Sequence, residues 1–345
     1  MKAQALEELP KIIGRELQGM PAAYFACLLG CKLANCLTTG FFFLFFTCAV
    51  APAQVHPPEP GVNLGDTNFL DGLAGPGWLV QEIADVYHSE KIAGPNGRTT
   101  PASPPFNVVA SLTQVAYVTK HRMFHAWWGT EVIPVAASVH ASDLGNASGV
   151  STVIVSPFIL QWSEWKIGRV RMQQRVDFDF FLPIGEYQQI STVNASSHFW
   201  SANPYYSVTV FPAKHWETSW RIHYLYNGVN HEPPRATGLS STQAGQAIHF
   251  NATLGYMLPH GIIVGANGYY LKQITDPRVN GVRLPYSPEQ VGAIGPGALW
   301  DSGGDFMLCA NAYHEFGAVN RTEGNKLVLR LSWLPGRKTA RQKAN

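Results

Sequence analysis

Ten charged or titratable side chains fall two or four residues apart in three short stretches of this 345-residue chain. They are Arg169, Arg171, Arg175, Asp177 and Asp179; Glu217, Arg221 and His223; and Lys326 and Arg330. A β-strand points successive side chains to opposite faces, so each set would share one face of its strand. Buried charge needs a partner or water. Arginine facing carboxylate inside an enclosed lumen allows two chemistries. Mixed rings of charge set an internal field that orients polar solutes, or the same groups form a network that fills and rigidifies a narrow lumen. Arg171 and Arg221 are the positions whose replacement tests the first. Tyr269, with Asn267 and Gln273 on its side of the strand, extends the lining, because Tyr270 must face the other way.

Other chemistries have weaker footing. Twelve histidines invite a metal site. His121 and His125, however, have a ligand spacing that suits a helix and not a strand, and no Cys/His/Asp cluster carries metal-ligand spacing. No cofactor is expected. Ser196, Ser197 and His198 bring hydroxyls and an imidazole together, yet no G-x-S-x-G or similar nucleophile setting accompanies them, so no enzymatic activity is expected. Glycine-rich phosphate loops and basic-aromatic patches are missing from the sequence, and a net charge of +2 gives no nucleic-acid signature. In residues 181–187, Pro183 removes a ladder donor and Gly185 permits a turn, which ends a strand. Tyr187, Phe199 and Trp200 are then candidates for a loop cage at the mouth of a lumen.

Strands must position these residues, and the hydropathy supplies them. Within 170–184 the even positions are apolar except Gln174, while the odd ones run Arg171, Gln173, Arg175, Asp177, Asp179. The alternation returns in 216–226, 248–256 and 327–333. Twelve strands are expected, at roughly 77–88, 107–120, 129–140, 151–163, 169–183, 199–211, 216–228, 246–258, 262–274, 290–300, 305–317 and 325–334. Breaks after odd-numbered strands are mostly long and polar, such as 89–106, 182–198, 229–245 and 275–289. Those after even-numbered strands are mostly short, such as 164–167, 212–215, 259–261 and 301–304. Trp127, Trp128, Trp162, Trp165, Trp216, Trp300 and Trp333 all fall beside short turns, as an aromatic girdle at one membrane face requires. Backbone polar groups cannot stay unpaired in lipid, so such a sheet must close on itself. The expected fold is all-β: a closed transmembrane antiparallel β-barrel of about 12 strands, with long extracellular loops and short periplasmic turns. Its expected location is the outer membrane of a Gram-negative bacterium.

Charged residues make up 14% of the chain and apolar ones 46%, yet no run reaches the roughly 18–20 residues of a spanning helix. The longest, 41–53, has the length of a signal-peptide core, and Ala51-Pro52-Ala53 offers small residues for cleavage before Gln54. Residues 1–53 are therefore read as a leader, with Lys32 as its positive region and Met20 as a plausible true start. Four of the five cysteines lie in it, leaving only Cys309 in the mature chain. Residues 54–76, rich in proline and glycine, form either a periplasmic lead-in or a plug tucked into the lumen. The barrel is expected at 77–336, followed by a basic disordered tail at 337–345.

The placed segments resemble a family of outer-membrane proteins described as involved in the meta-pathway of phenol degradation. The resemblance rests on 61–69 (GVNLGDTNF), 181–187 (FLPIGEY), 261–265 (GIIVG) with 269–273 (YYLKQ), 294–297 (IGPG) and 316–324 (FGAVNRTEG). Together these cover nearly all of the mature chain in order. The resemblance implies a barrel that admits aromatic or other apolar compounds, and it carries over no catalytic or ligand residue. The functional expectation is passive uptake of small solutes. Outer-membrane lipid, the solute and the barrel-assembly machinery are the expected partners. A structural or plugged barrel and a lipid-modifying barrel enzyme are the alternatives.

Overall fold

The computed structural model describes Pro57, residues 59–100, Ser103 and residues 105–337, with Asp143 described by its backbone only. The expected leader at 1–53 and residues 338–345 of the expected tail lie outside the described residues.

The period-two segments form twelve long strands. They are β1 (Gly77–Ile92), β2 (Phe106–Met123), β3 (Ala126–His140), β4 (Asn146–Gln161), β5 (Val170–Leu182) and β6 (Ser201–Ala213). The second half comprises β7 (Trp216–Asn227), β8 (Ala247–Met257), β9 (Ile262–Gln273), β10 (Gln290–Asp301), β11 (Phe306–Val319) and β12 (Thr322–Trp333). Each pairs antiparallel with its chain neighbour, and β12 returns to β1 with Val80 opposite Trp333 and Val86 opposite Leu327. The circle is complete at β4 and β5, where Val155 faces Phe180 and Leu160 faces Val176. None of these twelve strands is left with an unpaired edge, which is what a sheet in lipid requires. A three-residue strand, Trp165–Ile167, folds back on β5 within the β4–β5 connection.

Local chemistry fixes the short turns. Phe124 and His125 both adopt positive φ (51° and 62°) between Met123 and Ala126, the conformation whose twist matches a two-residue hairpin. In the β10–β11 turn Asp301 Oδ1 accepts from the Gly303 N–H at 2.9 Å, and Ser302 Oγ accepts from Gly304 and Phe306. Arg337 clamps the same Asp301 with donors at 3.0 and 2.7 Å, so the first residue of the expected disordered tail is tied down.

At the opposite end, Thr242–Gln243 and Arg278–Val279 pair across the two long loops after β7 and β9, which knits them together. Two of the expected long connections are short. Five residues join β3 to β4 and two, Asn320 and Arg321, join β11 to β12, because the strands themselves run further than the hydropathy suggests.

The alternation sorts the wall as anticipated. Phe178, Phe180, Trp220, Ile222, Leu327, Leu329 and Leu331 are exposed on the outside, while Asp177, Glu217, Arg221, His223 and Lys326 are buried on the inside. An apolar exterior around a charged interior places this closed barrel in the outer membrane, with lipid against its outer wall. Trp165, Trp216, Trp300 and Trp333 are exposed at the short-turn end, and Trp78 joins them. Trp127 is a correction: it turns inward onto Ala116, Val118 and Ile159, under the Arg122 guanidinium at 4.8 Å. Adjacent tryptophans on one strand cannot share a face, so Trp128 alone of that pair points out.

Candidate functional site

The lumen is not empty of chain. The segment from Glu59 to Pro76 has no strand period of its own and takes its hydrogen bonds from inner-face side chains. Asn251 on β8 accepts from the Gly65 N–H at 2.9 Å, Thr209 on β6 accepts from the Gly72 N–H at 2.9 Å, and Tyr313 on β11 donates to the Gly65 carbonyl at 2.8 Å. Two glycines make this approach feasible. At Gly65, φ is +85° beneath the Tyr313 ring, and at Gly72 a side chain would collide with the backbone of Thr209 and Gln173. Phe69, 1% exposed, inserts among Ile263, Leu299 and Cys309.

Two carboxylates of this segment meet the cations that the alternation had put on the inner wall. Asp71 receives Arg221 through Nε and Nη2, both at 2.6 Å, and Arg175 stands 3.8 Å away. Asp66 lies 2.7 Å from Lys326, which also pairs with Asp85 at 2.7 Å and donates to the Leu64 carbonyl. Charge-assisted, partly bidentate contacts of this kind are the strong ones. A third group ties Arg321 to Glu289 at 3.4 Å and to Glu59 at 3.8 Å near the long-loop end.

Around these pairs the wall is mostly polar, with a few aromatic rings among the polar groups. Tyr205 donates to Asp177 at 2.5 Å and carries Arg221 over its ring at 4.2 Å. His223 stacks on His249 with centroids 4.1 Å apart, and Tyr269 packs beside Tyr313 at 5.1 Å. The Tyr269 hydroxyl donates to Glu315 at 2.8 Å, and Glu315 also accepts from Tyr87 and the Gly324 N–H. Tyr269→Phe should therefore lower barrel stability by about 1 kcal/mol, since Glu315 keeps two of its three donors. The midpoint of heat-dependent gel mobility would register the change.

Glu131, Asp177 and Asp179 form a buried carboxylate trio within 4.8 Å of one another. Oxygen ligands of this type suit a hard cation. Asp177, however, is already met by Tyr205, Ser156 and Arg175, the last at 3.4 Å. Only Glu131, held by Gln114 at 2.5 Å, and Asp179 keep free capacity.

The residues expected to line the lumen divide by burial. Arg175, Asp177, Asp179, Glu217, Arg221, His223, Tyr269, Lys326 and Arg330 are all buried, as are Asn267 and Gln273. Two are corrections. Arg169 occupies the turn with Gly168 (φ +60°) between Ile167 and Val170, so it lies outside the strand. Arg171, the second residue of β5, stands at the short-turn rim, where its half-exposed side chain faces Glu164 at 3.5 Å and covers the Phe211 ring.

The expected mouth divides. Tyr187 is held by the Glu232 carbonyl at 2.7 Å and stacks on His198, and burial pushes its hydroxyl above the usual phenol range. Phe199 is buried, whereas Trp200 is 47% exposed and lies beside Tyr226. Ser201 opens β6 with its side chain buried, so Trp200 before it has the outer parity and leaves the cage. Sequence reasoning missed Asp66, Asp71, Glu131 and Glu315. Glu131 and Glu315 share the inner parity of their strands and were legible on that ground.

With this arrangement in view, comparison with known families gives a match over residues 90–331 to the family described as the putative MetA-pathway of phenol degradation. The chain belongs to that family. Among solved structures, an outer membrane channel from Pseudomonas putida F1 superposes with a TM-score of 0.67 at 11% identity, covering 79% of this chain and all of that one. Outer membrane phospholipase A from Escherichia coli gives a TM-score of 0.39 at 9% identity, over 74% of this chain and 92% of its own. A TodX mutant described as a monoaromatic hydrocarbon channel gives 0.40 at 9%, over 76% and 91%. A comparison with curated proteins gives no match. At these identities the first likeness establishes the barrel fold of this family member, and the other two are too loose to carry chemistry.

Proposed function

We propose that this member of the phenol-degradation family is a passive outer-membrane channel for small solutes, apolar or aromatic in class, with no enzymatic step. The observation that carries the reading is the aromatic inner wall: Tyr205, the His223–His249 stack, and the Tyr269–Tyr313 pair. These rings are buried, with Gly65 seated on Tyr313, so a planar solute would meet their faces and edges once the segment from Glu59 to Pro76 is displaced. Both ring nitrogens of His223 and the Asn267 carbonyl oxygen are buried without a protein partner. A hydroxyl on a passing ring, or water, would satisfy them at little cost. Movement is diffusion down a gradient.

A second reading has its own observation. The Asp71–Arg221 and Asp66–Lys326 pairs hold the segment from Glu59 to Pro76 across the solute's path, which favours a permanently plugged barrel. A hydrolytic reading is disfavoured. His88 with Asn107, and His314 with Asn325, form imidazole–amide pairs on the outer wall. Among the described residues, though, no serine or threonine hydroxyl is bonded to either ring, and acyl transfer needs that nucleophile.

Uptake of radiolabelled phenol at limiting concentration, compared between a deletion strain and its complemented partner, tests the proposal. Slower uptake on deletion, restored by complementation with correctly assembled protein, is the expected result. Equal uptake would leave the plugged barrel standing.

A further inference from the structure

The outer wall carries a row of polar side chains that the lumen does not use. Strand register puts Asn146 opposite His140, His140 opposite Asn107, Asn107 opposite His88, His88 opposite Asn325, and Asn325 opposite His314. Amide and imidazole thus alternate without a break across six neighbouring strands, from β4 through β1 to β11. The row faces outward, because Tyr87, Glu315 and Lys326 beside it make their contacts on the lumen side. Five of the six residues are exposed and Asn107 is half-buried.

Its neighbours mark a boundary. Two residues toward the short-turn end, β1, β2 and β12 present Val86, Val109 and Leu327 to lipid and β11 presents Ala312, whereas β3 and β4 carry Ser138 and Ser148. Toward the long loops come Glu90 and the Lys91–Glu323 ion pair. A surface cavity of about 300 Å³ opens there, lined in part by His88, Glu90, Lys91, His314, Glu323 and Asn325. Long loops face the exterior in outer-membrane barrels, so the row meets the outer leaflet where acyl chain gives way to headgroup.

The hydrogen-bonding pattern narrows what can sit on it. His88 Nδ1 lies 2.6 Å from Asn107 Oδ1, and His314 Nδ1 lies 2.9 Å from Asn325 Oδ1. A carbonyl oxygen only accepts, so Nδ1 carries the proton in each ring. Nε2 of His314 is left as an acceptor, while Nε2 of His88 faces the Glu90 carboxylate at 3.6 Å, so on that strand the acceptor is Glu90. The amide nitrogens of Asn107 and Asn325 remain as donors. From β2 to β11 the donors of Asn107 and Asn325 therefore alternate with acceptors at Glu90, beside His88, and at His314. Acyl chains offer neither partner, and a phosphate ester offers acceptors only. Hydroxyl groups on a sugar ring both donate and accept, and they match the alternation.

We propose that this row binds the saccharide headgroup of an outer-leaflet glycolipid and seats it against the wall formed by β11, β12 and β1–β4. Neighbouring strands lie about 4.8 Å apart, so the row is roughly 24 Å long. Strand tilt of about 35–45° inclines it to the membrane plane, and it climbs through the headgroup layer instead of ringing the barrel at one depth.

The test uses the full-length barrel in nanodiscs containing equal amounts of deep-rough lipopolysaccharide and phosphatidylethanolamine, with retained lipids counted by native mass spectrometry. Wild type should retain the glycolipid over the phospholipid by about tenfold. His88→Leu/His314→Leu and Asn107→Leu/Asn325→Leu should each lose most of that preference while still showing the gel mobility of a folded barrel. His88→Gln/His314→Gln, which keeps an acceptor on each side chain, should retain part of it. Enzymatically dephosphorylated glycolipid should be retained as well as the native form. Equal retention of the two lipids by wild type, an unchanged preference in both leucine variants, or loss of binding on dephosphorylation would each overturn the proposal. If the leucine variants fail to assemble, the wild-type comparisons still decide it.

Discussion

Asp71→Ala should widen the path through the barrel and destabilise it by about 3–5 kcal/mol, the usual cost of removing one partner from a buried ion pair. The reason lies in what remains. Arg221 and Arg175, 5% and 9% exposed, would lose the carboxylate that receives two guanidinium donors at 2.6 Å. Asp177 stays near Arg175 at 3.4 Å, but it already accepts from Tyr205 and Ser156. The chain around Asp71 would keep the Thr209 contact at Gly72 and the Leu70 backbone contact to Glu217 on that side of the lumen. Single-channel conductance in planar bilayers should therefore rise, and the gel-mobility transition should move to lower temperature. Adding Asp66→Ala removes the second anchor at Lys326 and should raise conductance further than either change alone. A control separates charge from occlusion: Asp71→Leu with Arg221→Met replaces the pair by apolar bulk, which is often neutral for stability. If Asp71→Ala leaves conductance unchanged while stability falls, the segment is not what limits passage.

Parity made the wall legible and depth did not. Asp177 and Asp179 on the inside against Phe178 and Phe180 on the outside follow from a period of two, which no tertiary contact can alter without a bulge. That same period says nothing about where along the membrane a residue sits. Arg169 and Arg171 have the correct parity and still miss the buried lumen, because the Gly168 turn and the strand start intervene. Trp127 and Trp128 show the converse, since proximity to a turn did not decide which of them faced lipid.

The segment at 59–76 was unreadable for another reason. It has no period, and Asp71 meets a partner 150 residues away, a distance that spacing arguments cannot bridge. The amide–imidazole row needed register across six strands, which lies beyond any single strand's pattern. Both features arise from closure of the sheet, and closure is where local sequence stops being informative.

Closure also lets one substitution measure the wall against the bilayer. Leu329→Arg should cost about 2–4 kcal/mol in a lipid bilayer, whereas Asn325→Arg on the same strand should cost about 0–1 kcal/mol. Leu329 is 47% exposed and faces lipid between Ala84 on β1 and Ala310 on β11. It lies four residues from Trp333 at the short-turn end and four from Asn325 at the other, about 13 Å along the strand each way. A guanidinium there has no partner and sits near the middle of an apolar band about 25 Å tall. At Asn325 the same group reaches Glu90 and the headgroup region beside it. Urea unfolding in vesicles would compare the two variants, with Leu331→Arg giving an intermediate value as the girdle is approached. A cost that declines from Leu329 in both directions places the hydrocarbon centre there and puts the polar row at the outer boundary. Equal costs at 325 and 329 would mean that the row is immersed in acyl chain, and its six polar side chains would then need a protein surface, not a sugar, to satisfy them.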